Sequence, residues 1–171
     1  MKKLFIGLLF ASTYALAGGW FTISIGQPSA HSDPKAHTAA FTIQVYGCAA
    51  NATEVTATAE GLVDGKRVSV PLQLTYLSGG RNDIEFTPGR QAVSGWPSHA
   101  MAVSKSWPTT GTWLIRVVAG AGSLTHSALV AVGPDGVDRA ATRTQARVSD
   151  ADVDAALRRA ATLALASRPL H

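Results

Sequence analysis

The sequence predicts an all-β fold: an antiparallel β-sandwich over residues 18–133, followed by a C-terminal α-helix. Apolar and polar residues alternate in short runs, as they do in strands that are buried on one face. Glycine and proline turns separate these runs, and no helical periodicity occurs before residue 133. Seven or eight short strands of this kind bury their apolar faces by packing as two layers.

Residues 1–17 predict an export signal that is removed from the mature protein. Lys2 and Lys3 precede an apolar run over residues 4–10, and small residues, Ala15 and Ala17, end the segment. The apolar run is too short to span a bilayer. We therefore expect a bacterial protein that is periplasmic or extracellular, begins near Gly18 and has no transmembrane segment in its mature chain.

The first half of the predicted sandwich contains the clearest hairpin. Strands are predicted over residues 20–25 and 41–45, separated by a loop that is rich in turn residues. Two further alternating runs flank Asp64 and Gly65, a dipeptide that suits the positive φ angles of a type I′ turn. Pro71 in the second run lacks an N–H group, so we expect that strand to lie at a sheet edge or to have its proline on an unpaired side.

The second half is predicted to contain a short strand at 84–87, strands at 101–107 and 113–119, and a last hairpin turning at 120–123. Trp113 is the predicted core tryptophan of the sandwich, whereas Trp96 lies in a glycine- and proline-containing loop and is the predicted surface aromatic. Residues 134–148 are polar and are predicted to form a linker.

The C-terminal helix is predicted over residues 149–168. Ser149 is a suitable N-cap, and the acidic residues that follow it match the positive end of the helix dipole. Asp154 and Arg158 have the spacing of an ion pair. One side of the helix is apolar but mostly alanine, comprising Val153, Leu157, Ala160, Ala161 and Ala164. Whether this side docks on the same molecule or on another is left open.

Charge and cysteine content exclude several classes of function. The net charge of +4 falls to about +2 once Lys2 and Lys3 are removed, and no run of Lys or Arg exceeds two residues. The sequence therefore lacks the basic patch that nucleic acids or anionic membranes require. Cys48 is the single cysteine, so no internal disulfide forms, and its small neighbours predict a buried thiol.

Several segments between residues 41 and 132 resemble those of secreted bacterial immunoglobulin-like domains: YGC, AEGLVDGKR, PLQL and SWPTTGTWLIRV. More loosely, the chain is similar to the YtkA-like and CopC-like sandwich families. The resemblance implies an immunoglobulin-like β-sandwich and export. CopC-like proteins bind copper through an N-terminal histidine and further His, Asp or Met ligands, and none of these ligands carries over by position.

One loop contains a candidate metal site. His31, Asp33 and His37 supply two imidazoles and a carboxylate, which suit Zn²⁺ or Cu²⁺. His99 and Met101 would complete the site if their loop lies at the same end of the sandwich. The alternative is a solvated loop with incidental histidines. A further histidine, His126, is predicted to be a core or boundary side chain.

No catalytic motif is present: the sequence contains no G-x-S-x-G, no HExxH and no phosphate-binding glycine loop. The nucleophilic arrangement that the sequence comes nearest to is a Cys48–His pair. We therefore expect a non-catalytic exported interaction module that needs no cofactor and binds another exported or envelope protein. The alternative function is a Cu- or Zn-binding domain that uses the loop histidines.

Overall fold

The computed structural model describes residues 19–50, 53–78, 98–108, 110–133 and 136–166. In these ranges the chain forms nine β-strands and one α-helix. The strands are β1 (Thr22–Gly26), β2 (Phe41–Tyr46), β3 (Glu54–Val63), β4 (Lys66–Leu72), β5 (Leu74–Leu77), β6 (Ser98–Val103), β7 (Thr112–Ala121), β8 (Leu124–Gly133) and β9 (Gly136–Gln145). The helix is α1 (Asp150–Ala166), and two 3₁₀ turns, Pro28–Ala30 and Pro34–Ala36, lie between β1 and β2.

The strands form two antiparallel sheets that pack face to face. One sheet has the order β1-β2-β6-β5, and the other has the order β4-β3-β7-β8-β9. Alternate residues of both sheets meet in one apolar core, whose members include Phe41, Ile43, Val45, Met101, Val103, Trp113, Ile115, Val117 and Val130. The predicted all-β sandwich with a C-terminal helix is confirmed.

Trp113 lies in this core, as predicted. Its ring packs directly on Gly61 of the neighbouring strand, where a Cβ atom would come within 2.6 Å of the ring. Its indole N–H donates a hydrogen bond of 2.8 Å to the carbonyl of Thr110. Glycine at position 61 therefore provides the space that the core tryptophan fills.

The hairpin between β3 and β4 also forms as predicted. Asp64 and Gly65 have φ angles of 50° and 74°, which is the backbone conformation of a type I′ turn. β4 is an edge strand whose neighbour is β3, which agrees with the proline at position 71, because an edge strand tolerates the missing N–H group. The local turn chemistry thus fixes the register of the two strands.

The predicted linker at 134–148 is wrong over most of its length, because residues 136–145 form the edge strand β9. β9 pairs with β8, with a register shift between Leu129 and Ala131. An edge strand satisfies its backbone through one neighbour and needs few apolar side chains, which is why this polar segment gave no strand signal. The strand predicted at 101–107 is instead β6, which covers Ser98–Val103.

The helix packs on the outer face of the five-stranded sheet. Val153 and Leu157 are fully buried against Leu114 of β7 and Leu129 of β8, together with Val148. Ser149 caps the helix: its Oγ accepts the Asp152 N–H at 3.2 Å, and Asp152 Oδ2 accepts the Ser149 N–H at 2.8 Å. The apolar side predicted from the sequence therefore docks on the same molecule.

Several predictions lie outside the described residues: the export signal at 1–17, the strand at 84–87, Trp96 and the last two residues of the predicted helix. Within the described ranges, no helix has both the length and the apolar character needed to cross a lipid bilayer.

Candidate functional site

The loop that carries the candidate metal ligands is held together by Asp33. Its Oδ1 accepts the Lys35 N–H at 2.9 Å, and its Oδ2 accepts the N–H and the Oγ–H of Ser78 at 2.7 and 2.8 Å. These bonds, first of all the one from the Ser78 N–H, lower the pKa of Asp33 to about 2. Asp33 Oδ1 is thus bonded within the loop, and its Oδ2 ties the loop to the end of β5.

The two histidines of this loop are also bonded to its backbone. His31 is buried, and its Nδ1 accepts the Asp33 N–H at 3.1 Å, so the proton of the neutral ring is on Nε2. The Nε2 of His37 donates to the carbonyl of His31 at 3.0 Å. A metal at His31 Nε2 would need the proton on Nδ1, where the Asp33 N–H already points.

His99 does not face this loop. Ala100 and Ala102 of β6 pack against Ala36 on the outer face of the sheet, so His99, by strand alternation, points to the opposite face. Its ring lies 5.9 Å from that of Tyr76, and burial lowers the pKa of His99. In the part of the chain that the structure describes, no three metal-binding side chains come together. Metal binding by His31, His37 and His99 stays a prediction.

Two further sequence predictions concern Cys48 and His126. The prediction of a buried Cys48 is wrong: the thiol is exposed in the turn after β2, and its Sγ accepts the Trp20 N–H at 3.0 Å. The turn places this small side chain outward despite its apolar character. His126 is half-buried and contacts the ring of Phe21 at 5.4 Å, as expected of a boundary side chain.

A groove between α1 and the outer face of β8 and β9 was not foreseen from the sequence. It has a volume of about 270 Å³. Its floor is apolar and consists of Leu114, Leu129, Ala131 and Ala141. Its helical wall is formed by Ala155, Ala156, Ala160 and Leu163. The lining is completed by Val148 and by four polar residues: Arg143, Gln145, Asp152 and Arg159. Leu163 is 64% exposed, which is unusual for a leucine beside an apolar surface.

A charged cluster fixes the first turns of α1, and with them the helical wall of the groove. Arg67 binds Asp150 and Asp154 of the helix at 3.2 and 3.1 Å, and Arg116 binds Asp150 at 2.8 Å. The Arg67 guanidinium also binds Glu60, which is buried, at 3.1 Å. The hydrogen bond from Arg67 is the largest cause of the lowered pKa of Asp150. Asp154 was predicted to pair with Arg158, and it pairs with Arg67 on the sheet.

The groove arginines differ from those of the cluster. Among the described residues, the guanidinium groups of Arg143 and Arg159 have neither a hydrogen bond nor an ion pair. Arg143 comes from β9 and Arg159 from α1, so the two are brought to one groove only by the docking of the helix. No local sequence pattern predicts that the two arginines line the same groove, because neither residue lies in a run of basic residues longer than two.

Comparisons with protein families, with curated proteins and with solved structures find no match to this chain. The resemblance to immunoglobulin-like, YtkA-like and CopC-like domains therefore stays a prediction.

Proposed function

We propose that this protein is an exported, non-catalytic binding module whose groove beside α1 holds a segment of another exported or envelope protein. The groove is the observation that carries the proposal. It combines an apolar floor, an exposed leucine and two arginines without a charged partner in the described part of the chain. Such a combination is typical of a surface that a partner covers.

The rest of the molecule supports the groove as a preformed surface. Its floor belongs to the five-stranded sheet, and its wall is held by the buried pair Val153 and Leu157 and by the cluster around Arg67. A rigid wall and floor lose little conformational freedom when a partner binds, which favours affinity. Export is supported by the basic and apolar composition of residues 1–17.

Site-specific crosslinking in the intact cell tests this proposal. A photoreactive amino acid replaces Leu163 in the groove or, as a matched control, Tyr76 on the other sheet. Both side chains are 64% exposed, so exposure alone gives equal capture. We expect position 163 to capture one recurrent protein and position 76 not to capture it. Equal capture patterns at the two positions, or none at position 163, contradict the proposal.

A further inference from the structure

The charge of the groove and the spacing between α1 and β9 indicate which kind of segment it receives. We propose that the occupant is an acidic amphipathic α-helix of another exported protein. Its apolar side lies on the floor of the groove, and its carboxylates pair with Arg143 and Arg159. This inference rests on the proposed function and names the chemical class of its partner.

The charge of the groove favours an acidic partner. Arg67 and Arg116, beneath the first turns of α1, are each bound to carboxylates, whereas Arg143 and Arg159 have no such partner among the described residues. The acidic residue in the lining is Asp152, whose Oδ2 already accepts the N–H and the Oγ–H of Ser149 at 2.8 and 2.6 Å. The groove thus presents positive charge that carboxylates of a partner would match.

The spacing between α1 and β9 favours a helix. α1 packs on β7 and β3, and neighbouring strands lie about 4.8 Å apart, so β9 is about 10 Å to the side of β7. Packed helices have axes about 8–10 Å apart. A second helix packed against α1 would therefore lie over β8 and β9. The alanines at positions 155, 156 and 160 allow it a close approach.

A β-strand is a poorer fit to the same surface. A strand added to the sheet would pair with the outer edge of β9. In that position its backbone lies beyond the groove and leaves the floor residues Leu129 and Ala131 uncovered. A helix instead buries its apolar side on the floor and presents acidic residues at spacings of three and four to the arginines on both sides.

Two synthetic peptides test this inference on the purified mature protein, which is the whole chain after removal of the predicted export signal. Both are amphipathic helices of about 18 residues, or five turns, with the same apolar side; one has glutamates on its flanks and the other has lysines. Fluorescence anisotropy measures their affinities. We expect the glutamate peptide to bind at least about tenfold more tightly than the lysine peptide. In NMR spectra of the protein, the backbone amide chemical shifts that change when the glutamate peptide is added should belong to β9 and α1, and not to β5.

Charge reversal identifies the arginines responsible. The double variant R143E/R159E should bind the glutamate peptide about tenfold or more weakly than the wild type does, and it should bind the lysine peptide more tightly. The control variant K66E/K105E changes the net charge equally at two exposed lysines outside the groove. We expect this control variant to bind both peptides with affinities within about twofold of the wild-type values, because salt screens exposed charges that lie far from the groove.

Three outcomes overturn the inference: equal binding of the two peptides, an equal loss in the control variant, or arginine-dependent binding of vesicles rich in phosphatidylglycerol in place of the peptide. If position 163 captures a partner in cells and R143E/R159E does not reduce this capture, the acidic helix is wrong and the proposed function stands. If position 163 captures only other copies of this chain, the groove is a homodimer interface and both proposals are wrong.

Discussion

Two serines of the five-stranded sheet, Ser127 on β8 and Ser69 on β4, illustrate how differently one hydroxyl can act in this fold. Ser127 is 1% exposed, and its Oγ has no hydrogen-bond partner in the structure, whereas Ser69 donates to the buried carboxylate of Glu60. A buried hydroxyl without a partner loses its hydration and gains nothing in return. The bonded hydroxyl stabilises a carboxylate that the fold has removed from water.

The two serines therefore give opposite predictions. We expect Ser127→Ala to leave the free energy of unfolding unchanged or to raise it by up to about 1 kcal/mol. Ser69→Ala, the matched control, should lower it by about 1–2 kcal/mol, because the acceptor is charged. Urea denaturation measures both. A loss in Ser127→Ala as large as that in Ser69→Ala would contradict the assignment of an unpartnered hydroxyl.

Asp33 predicts a pH dependence of stability. Its pKa is about 2 in the folded chain, against an ordinary value of 3.8, because its oxygens accept the Ser78 and Lys35 N–H groups. A lowered folded pKa means that ionised Asp33 stabilises the fold above pH 3.8 and that this contribution is lost as the pH falls toward 2. Urea denaturation at a series of pH values should show the loss in the wild type and a smaller one in Asp33→Asn.

A second variant tests how much of the lowered pKa of Asp33 is due to the hydroxyl of Ser78. Ser78→Ala removes the hydroxyl that donates to Asp33 at 2.8 Å and keeps the N–H bond. The pKa of folded Asp33 should therefore be lowered less, so that the loss of stability below pH 3.8 is smaller than in the wild type and is complete at a higher pH. If the free energy of unfolding of Asp33→Asn falls with decreasing pH as steeply as that of the wild type, groups other than Asp33 account for the loss.

At the scale of elements, two leucines of α1 test the docking of the helix. Leu157 is fully buried against Leu114 and Leu129, whereas Leu163 is 64% exposed. Leu157→Ala should lower the free energy of unfolding by about 2–4 kcal/mol, because it removes buried apolar surface and leaves a cavity. Leu163→Ala should change it by less than about 0.5 kcal/mol. Equal effects would mean that the helix does not pack as described.

The elements also show what local sequence can and cannot predict. The β3–β4 hairpin was predictable because Asp64, Gly65 and the flanking alternation all act within a few residues. Its register places Ser69 opposite Glu60 and leaves Arg67 nearby, so this part of the charged cluster could have been anticipated. β9 could not be, because an edge strand is formed by backbone pairing and its side chains carry no alternation.

At the scale of the whole molecule, the groove exists only because distant segments meet. The groove is lined by residues from β8, β9 and α1, among them Leu129, Arg143 and Arg159. The sequence alone predicts only that the helix has an apolar side. That side, centred on Val153 and Leu157, was predictable from helical spacing. The surface on which it docks was not, since this depends on the packing of the complete sheet. The candidate site was therefore missed although most of the sandwich was predicted.

Export is a whole-molecule prediction that the described residues do not contain. Intact mass and N-terminal sequencing of the protein recovered from outside the cytoplasm should give a chain that begins near Gly18. Loss of Lys2 and Lys3, or their replacement by glutamate, should reduce export. Recovery of the unprocessed chain from the cytoplasm alone would contradict the exported module.

The central claim is that the groove beside α1 is where a partner binds, and crosslinking in the intact cell addresses it most directly. With equal exposure at positions 163 and 76, the account predicts one recurrent protein captured from the groove and absent from the other sheet. The same set of products from both positions would show that the groove is ordinary surface and would contradict the account.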